Sequence, residues 1–397
     1  MYKPYKIQNM IKRQIETELL LLKNEFPIIA ILGPRQSGKT TLSQKVFPEY
    51  DYVSLEDVDH REFAANDPRG FLNKYSKNVI YDEIQRVPQL ISYLQSHVDK
   101  MKENGKIIIT GSHNFFLMEQ ISQSLAGRVG ITKLLPFSIQ ELSEEKQTSN
   151  IQMFMGSYPR IYDQKIRPEV FYKNYISTYI EKDIRQIKQV TKLDLFMKFM
   201  RILAGRTGQE LNLSTISEEC GVSHNTIGEW ISILEASFLI YKLKPYHKNY
   251  NKRLVKNSKV YFTDTGLVCN LLGIRKPEEL DYHFLRGHIF ETFILSDFIK
   301  NNYNTGEKFE LYFWRDNHKK EIDLILDYGI NRLGIEIKTS ETIQEKYFYG
   351  LSYWMNLSKT EPKNMYLIYG GNENYIRNTM NVVSWDNIFN GIIEKVL

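Results

Sequence analysis

The run Gly33-Pro34-Arg35-Gln36-Ser37-Gly38-Lys39-Thr40 fits the G-x-x-x-x-G-K-[ST] spacing of a loop that wraps phosphate groups. That chemistry needs these residue types. Glycines let backbone N–H groups curve around a phosphate with no Cβ in the way, and a helix opening near Lys39 adds the partial positive charge of its N-terminus. Lys39 would reach the β- and γ-phosphates of ATP, and Thr40 would offer a hydroxyl to Mg²⁺. The nucleotide-binding set expected is thus Gly33, Pro34, Arg35, Gln36, Ser37, Gly38, Lys39, Thr40 and Thr41, with Asp82 and Ser112 from later segments.

Those later segments supply the rest of a hydrolytic site. About forty residues downstream the apolar run Val79-Ile80-Tyr81 ends in Asp82 and Glu83. A strand-end Asp82 would hold Mg²⁺ together with Thr40, and Glu83 would polarise the attacking water. The paired acids favour an ATPase with an added central strand, and no Asn-Lys-x-Asp guanine reader occurs in this region. The strand Lys106–Thr110 runs into Gly111-Ser112-His113-Asn114, where Ser112 is the first candidate for sensing the γ-phosphate and Asn114 the second. Arg128 is a candidate for neutralising transition-state charge, although an ordinary surface arginine fits the position as well.

A second constellation lies near the C-terminus. Asp323 is followed thirteen residues on by Glu336-Ile337-Lys338. On a strand Glu336 and Lys338 share a face while Ile335 and Ile337 take the other. An Asp followed by Glu-x-Lys on neighbouring strands resembles the core of restriction-endonuclease-like nucleases. The resemblance implies that Asp323 and Glu336 hold Mg²⁺, that Lys338 orients hydroxide, and that Glu291 on the preceding helix is an additional acid. Acid and lysine also alternate on solvated strands through cross-strand pairing, so cleavage is a separate question from fold.

The elements that must position these residues fall into three regions, expected at 1–145, 151–250 and 255–397. In the first, Ile28–Leu32, Tyr52–Leu55, Val79–Tyr81, Lys106–Thr110 and Val129–Leu135 read as strands, several apolar on both faces, which implies a parallel sheet covered by helices. A polar stretch, Ser143–Asn150, reads as a linker. In the second, Leu213, Ile216 and Cys220, a turn at Gly221, and Ile227, Ile231, Leu234 and Phe238 give the pattern of a winged helix-turn-helix, with Ser223 as an N-cap. Its recognition helix carries His224, Asn225 and Glu229 and is not especially basic. Lys242, Lys244, His247, Lys248, Lys252, Arg253 and Lys256 follow, interleaved with Tyr246 and Tyr250, and offer phosphate contacts and stacking to DNA. In the third, Gly287–Lys300 reads as an amphipathic helix, followed by strands at Leu311–Arg315, Glu321–Leu326 and Gly334–Thr339, a helix at Gln344–Asn356 and a strand at Met365–Tyr369.

Gly-Pro-Arg-Gln-Ser-Gly-Lys-Thr-Thr at 33–41, Tyr-Asp-Glu-Ile-Gln-Arg-Val-Pro at 81–88, Ile-Thr-Gly-Ser at 109–112, Leu-Ala-Gly-Arg at 125–128 and Leu-Pro-Phe-Ser at 135–138 together resemble a widespread prokaryotic family. Its members join an AAA-type ATPase domain to a C-terminal domain of unknown function. The resemblance continues through Ala-Gly-Arg-Thr-Gly-Gln at 204–209 and Lys-Val-Tyr-Phe-Thr-Asp-Thr-Gly-Leu at 259–267. It implies an α/β fold, ATP binding, and a possible homo-oligomer in which Arg128 reaches a neighbouring nucleotide, while naming no substrate.

The 397 residues suffice for several cores, and a net charge of +5 is only mild encouragement for a polyanion partner. No apolar stretch is long enough to span a membrane, and Cys220 and Cys269 alone form neither a disulfide framework nor a zinc spacing. A cytoplasmic ATP- and Mg²⁺-dependent protein acting on DNA is the resulting expectation, with an ATP-dependent switch that recruits a protein as its rival.

Overall fold

The computed structural model describes residues 10–112, 120, 121, 123–145, 147–180, 193–246 and 257–397, with backbone alone at 179 and 180. Asn114, His247, Lys248, Tyr250, Lys252, Arg253 and Lys256, all named above, lie outside these residues.

The first sheet is parallel throughout. Its strands are β1 (Ile28–Gly33), β2 (Asp51–Ser54), β3 (Val79–Asp82), β4 (Ile107–Ser112) and β5 (Val129–Lys133), in the order β2-β3-β4-β1-β5. The strand β4 stands between β1 and β3, as an ATPase with an added central strand requires. Helices α1 (Glu16–Glu25), α2 (Lys39–Val46), α3 (Val58–Asn66), α4 (Pro68–Lys74) and α5 (Leu90–Met101) flank it. Ile29, Ile31, Ile80 and Ile108 join Leu19, Leu22 and Leu42 in one core, while Ile28, Ala30, Leu32, Ile107 and Ile109 pack into another. Burial on both faces is why these strands read as unbroken apolar runs. Local signals set the helix ends. Pro68 opens α4 with the Asp67 side chain accepting from Gly70 N at 2.9 Å.

The middle of the chain is helical: α6 (Ser149–Met155), α7 (Pro159–Asp163), α8 (Pro168–Tyr175), α9 (Leu193–Ala204), α10 (Leu213–Cys220) and α11 (His224–Ala236). Asn212 and Ser223 cap α10 and α11, accepting from Thr215 N and Thr226 N at 3.1 Å each, and Gly221 ends α10 with φ 74°. A short strand β6 (Gln209–Glu210), with β7 (Ile240–Pro245) and β8 (Lys259–Phe262), forms an antiparallel trio beside these helices. After it, α12 (Thr265–Leu271) is capped by Asp264.

The remaining elements are α13 (Arg286–Asn304), β9 (Glu310–Arg315), β10 (Glu321–Tyr328), β11 (Asn331–Lys338), α14 (Tyr349–Ser358), β12 (Met365–Tyr369), β13 (Tyr375–Arg377), β14 (Met380–Ser384) and α15 (Ile388–Gly391). The strands β9, β10 and β11 are antiparallel neighbours, and β12 lies parallel to β11. Because β7 also pairs with β9, through Lys244 and Tyr312, the sheet has nine strands and runs across the boundary expected near 250–255. The amphipathic reading of α13 needs correction: from Ile289 onward almost all of it is buried, including Asp297, Lys300, Asn301 and Asn302. It forms a spine between the two sheets, and Asp297 and Lys300 bond to Ile139 and Ser157, far away in sequence.

Candidate nucleotide site and C-terminal charged cluster

The strand β1 delivers Gly33 to the C-terminal edge of the first sheet, and α2 begins at Lys39. A Cβ at Gly33 would stand 2.1 Å from the Leu134 carbonyl oxygen, so only glycine permits this approach. Gly38, at the N-cap of α2, has φ 95°. Lys39 is buried, and its Nζ donates to the carbonyls of Gly33 at 3.1 Å and Pro34 at 2.9 Å, which holds the ammonium over the loop. Thr41, by contrast, faces solvent on the first turn of α2.

The sheet order brings Asp82 beside the loop. Thr40 Oγ1 donates to both its carboxylate oxygens, at 3.0 and 3.1 Å, and Tyr52 OH donates to Oδ2 at 2.8 Å. Thr110, from β4, donates to Oδ1. Burial raises the Asp82 pKa, the hydroxyls of Thr110, Tyr52 and Thr40 work against that, and the charge of Glu83 adds to it. These are hard oxygen donors converging at the mouth of a phosphate loop, a set that suits Mg²⁺. Glu83 itself adopts left-handed backbone, φ 57°, an uncommon conformation for a residue with a side chain. Its N–H donates to Thr110 Oγ1 at 3.2 Å, and its Oε2 accepts from Gln85 and, at 3.3 Å, from Ser112 Oγ. Gln85 also donates to Ser112 Oγ, at 2.9 Å. The sheet therefore gathers Lys39, Thr40, Asp82, Glu83 and Ser112 at one edge.

Arg128 is not among them. It lies at the start of β5, where its carbonyl accepts from Ile28 N at 3.1 Å, and it grips Asp99 with bonds of 2.6 and 2.9 Å. Since β1 and β5 run parallel, Arg128 stands a strand's length from the loop of its own chain. Conversely, Arg13, which no motif singles out, is only 6% exposed beside the loop. Its Nη1 donates to Ser37 O at 3.0 Å, Nη2 to Leu135 O at 2.6 Å and Nε to Glu141 Oε1 at 3.0 Å. Tyr175 OH also reaches the loop, donating to Arg35 O at 3.4 Å.

In the C-terminal sheet Asp323, Glu336 and Lys338 do come together. Asp323 Oδ2 accepts from Ile337 N at 2.8 Å, and Lys338 Nζ lies 2.5 Å from Glu336 Oε1 and 3.6 Å from Asp323 Oδ2. Burial, then the nearby Asp323 charge, lifts the Glu336 pKa to about 8. Its Oε2 is buried without a hydrogen-bond partner, so lone pairs suited to a cation are present, but the Lys338 ammonium sits between the two acids. Glu291 lies near enough for its charge to interact with those of Asp323 and Lys338, but its direct partners are others. It is bound by Lys259 Nζ at 3.0 Å and by the Tyr261 hydroxyl, and Lys259 also pairs with Glu321. Among the described residues no group of three or more His, Cys, Asp or Glu is spaced to hold a metal.

The basic, aromatic stretch after α11 also reads differently in three dimensions. Tyr246 is buried, packed edge-on against Tyr312 and Trp354, and offers no face for stacking. Lys242 is paired with Glu235 at 2.7 Å, while Lys244 is exposed.

Residues 25–143 match the profile of the AAA domain family. The first sheet and its helices have the parallel α/β fold of an AAA-type domain. Beyond the AAA domain, residues 146–278 and 286–388 match two families described as domains of unknown function, DUF8612 and DUF4143. An uncharacterized protein of Mycobacterium tuberculosis is 27% identical over 339 residues, covering 83% of this chain and 74% of its own length. Another, of Methanocaldococcus jannaschii, is 23% identical over 375 residues, 85% of this chain and 80% of the relative. Among solved structures, a Walker-type ATPase of Pyrococcus abyssi aligns with a TM-score of 0.43 and 15% identity, covering 66% of this chain and 96% of that one. No helix among the described residues is long and apolar enough to cross a membrane.

Proposed function

We propose that the protein is an Mg²⁺-dependent ATPase whose nucleotide cycle acts on DNA through its middle and C-terminal regions. The observation that carries the ATPase reading is the convergence of Thr40, Asp82, Glu83 and Ser112 at the mouth of the loop. Bound Mg²⁺ supplies neutralisation of phosphate charge. Lys39 leaves the carbonyls of Gly33 and Pro34 for the phosphate oxygens, and the loop N–H groups hold them. Asp82 and Thr40 present oxygen donors to the ion. Glu83 orients the attacking water once it is released from Gln85 and Ser112, and Ser112 couples that release to the γ-phosphate.

The DNA reading rests on two arrangements. Helices α9, α10 and α11 with β6, β7 and β8 follow the order of a winged helix, and α13, β9, β10, β11, α14, β12 follow the helix, three strands, helix, strand order of restriction-endonuclease-like folds. This is fold analogy, and it assigns a class of partner rather than a reaction. The rival, an ATP-dependent switch recruiting a protein, draws support from the exposed acids Glu218, Glu219 and Glu229 on α10 and α11, and from the Lys338 ammonium seated between Asp323 and Glu336. Incubation with ATP, Mg²⁺ and single- or double-stranded DNA separates the two. DNA binding with stimulated hydrolysis supports the first; the absence of both refutes it. If DNA is cut, Asp323→Ala and Lys338→Ala abolish cutting when the cluster is the source, and unchanged cutting by both removes it.

A further inference from the structure

The loop contains a peptide whose orientation its own sequence does not fix. Gly38 is permissive at φ, here 95°, so the Ser37–Gly38 peptide plane can turn about the Ser37 ψ and Gly38 φ bonds that flank it. Peptide planarity sets the C=O of Ser37 opposite to the N–H of Gly38. Whatever holds that carbonyl outward therefore points the Gly38 N–H inward, where the phosphate of a bound nucleotide lies.

Arg13 is what holds it. Its guanidinium, 4.8 Å from the centroid of the Phe137 ring, donates to Ser37 O, Leu135 O and Glu141 Oε1, so its plane is fixed on three sides. Glu141 is anchored in turn, since its oxygens accept from Gln14 N at 2.8 Å and Ser138 N at 2.9 Å. A rigid planar fork with a permanent charge suits this task in a way a flexible ammonium does not.

We infer that Arg13 is a positioning residue of the phosphate loop, presetting the Gly38 N–H toward the phosphates before nucleotide arrives. The inference rests on the nucleotide-site reading of the loop and deepens it. Preorganisation of this kind benefits ADP and ATP alike, so it acts on affinity and leaves the chemical step alone.

Ser–Gly occurs once in the chain, at 37–38, so serine labelled with ¹³C at the carbonyl and glycine labelled with ¹⁵N report the Gly38 amide as a single NMR resonance. In the nucleotide-free wild type one sharp resonance is expected, and ADP shifts it; a resonance broadened by peptide exchange overturns the inference without any variant. In Arg13→Lys the resonance broadens, the Kd for ADP by titration calorimetry rises roughly tenfold, the loss of about one charge-assisted hydrogen bond, and kcat at saturating ATP stays within about twofold of wild type. A folded Arg13→Lys with wild-type ADP affinity, or one losing kcat rather than affinity, overturns it. If the wild type itself binds no ADP, the nucleotide reading of the loop fails first, and that outcome is distinct from both.

Discussion

Asp297 links the AAA domain to the helical spine α13, and it carries a pH dependence that one substitution removes. Its carboxylate is 1% exposed and accepts from Ile139 N at 2.7 Å and Asn301 Nδ2 at 2.9 Å. Burial lifts its pKa from the ordinary 3.8 to about 6, against the opposing influence of the Ile139 N–H and the Lys300 charge. An acid whose folded pKa exceeds its unfolded one keeps its proton in the native state after the unfolded chain has lost it. Stability is then full below about pH 4, falls as pH rises toward about 6, and is level above that. The displacement is worth about 3 kcal/mol. Asp297→Asn abolishes the titration while keeping the geometry: the new carbonyl still accepts from Ile139, and Asn301, whose Oδ1 has no partner, can turn to accept the new N–H. Denaturant unfolding of both proteins at pH 4, 6 and 8 provides the assay. Between pH 4 and 6 the wild type is expected to lose about 2 kcal/mol more than the variant, the rest of the displacement falling just outside that interval. Parallel stability profiles for the two proteins refute the reasoning.

Other expectations follow from the same geometry. Glu83→Gln should retain ATP binding by calorimetry yet lose about a hundredfold or more in turnover, since the loop is untouched while the water loses its base; turnover close to wild type assigns the base elsewhere. Asp82→Asn removes a desolvated charge and keeps its hydroxyl partners, so the nucleotide-free melting temperature should hold or rise while hydrolysis collapses, and a lower melting temperature with intact turnover contradicts this. Arg128→Ala should leave the turnover of isolated subunits within about twofold, because the side chain is spent on an exposed pair with Asp99, for which a small energetic role is usual. At Gly156, φ 68°, an added Cβ would meet the Tyr172 hydroxyl at 1.9 Å and Asp264 Oδ1 at 2.6 Å, so Gly156→Ala should cost about 2–4 kcal/mol in denaturant unfolding.

The nucleotide loop was legible in the sequence because its chemistry is local: strand, glycine turn and helix lie within a few residues, and the β-strand carrying Asp82 and Glu83 announces itself by its apolar run. Its supporting side chains were not legible. Tyr52 and Thr110 meet Asp82 from 30 and 28 residues away, and Arg13 meets Glu141 from 128. Such partners are set by sheet order, which no local pattern encodes. The same limit explains α13. Its polar residues suggested an outer face, yet Lys300 donates to Ser157 Oγ at 2.8 Å and Asp297 serves Ile139, both from far along the chain. Tyr246 misled for a related reason: its basic neighbours suggested a surface, whereas the pairing of β7 with β9 turns its ring into the C-terminal core. Asp264 was legible only as part of the family resemblance, because its tasks, capping α12 and binding Ser157 and Tyr172, depend on the fold.

The central claim is that this loop hydrolyses ATP for work on DNA, and steady-state phosphate release tests it most directly. Wild type and Lys39→Ala are measured with Mg²⁺ and ATP, alone and with single- and double-stranded DNA. The account predicts wild-type turnover that rises with DNA and requires Mg²⁺, and none above background in Lys39→Ala. Equal phosphate release by both proteins, or a wild-type rate indifferent to DNA, contradicts it.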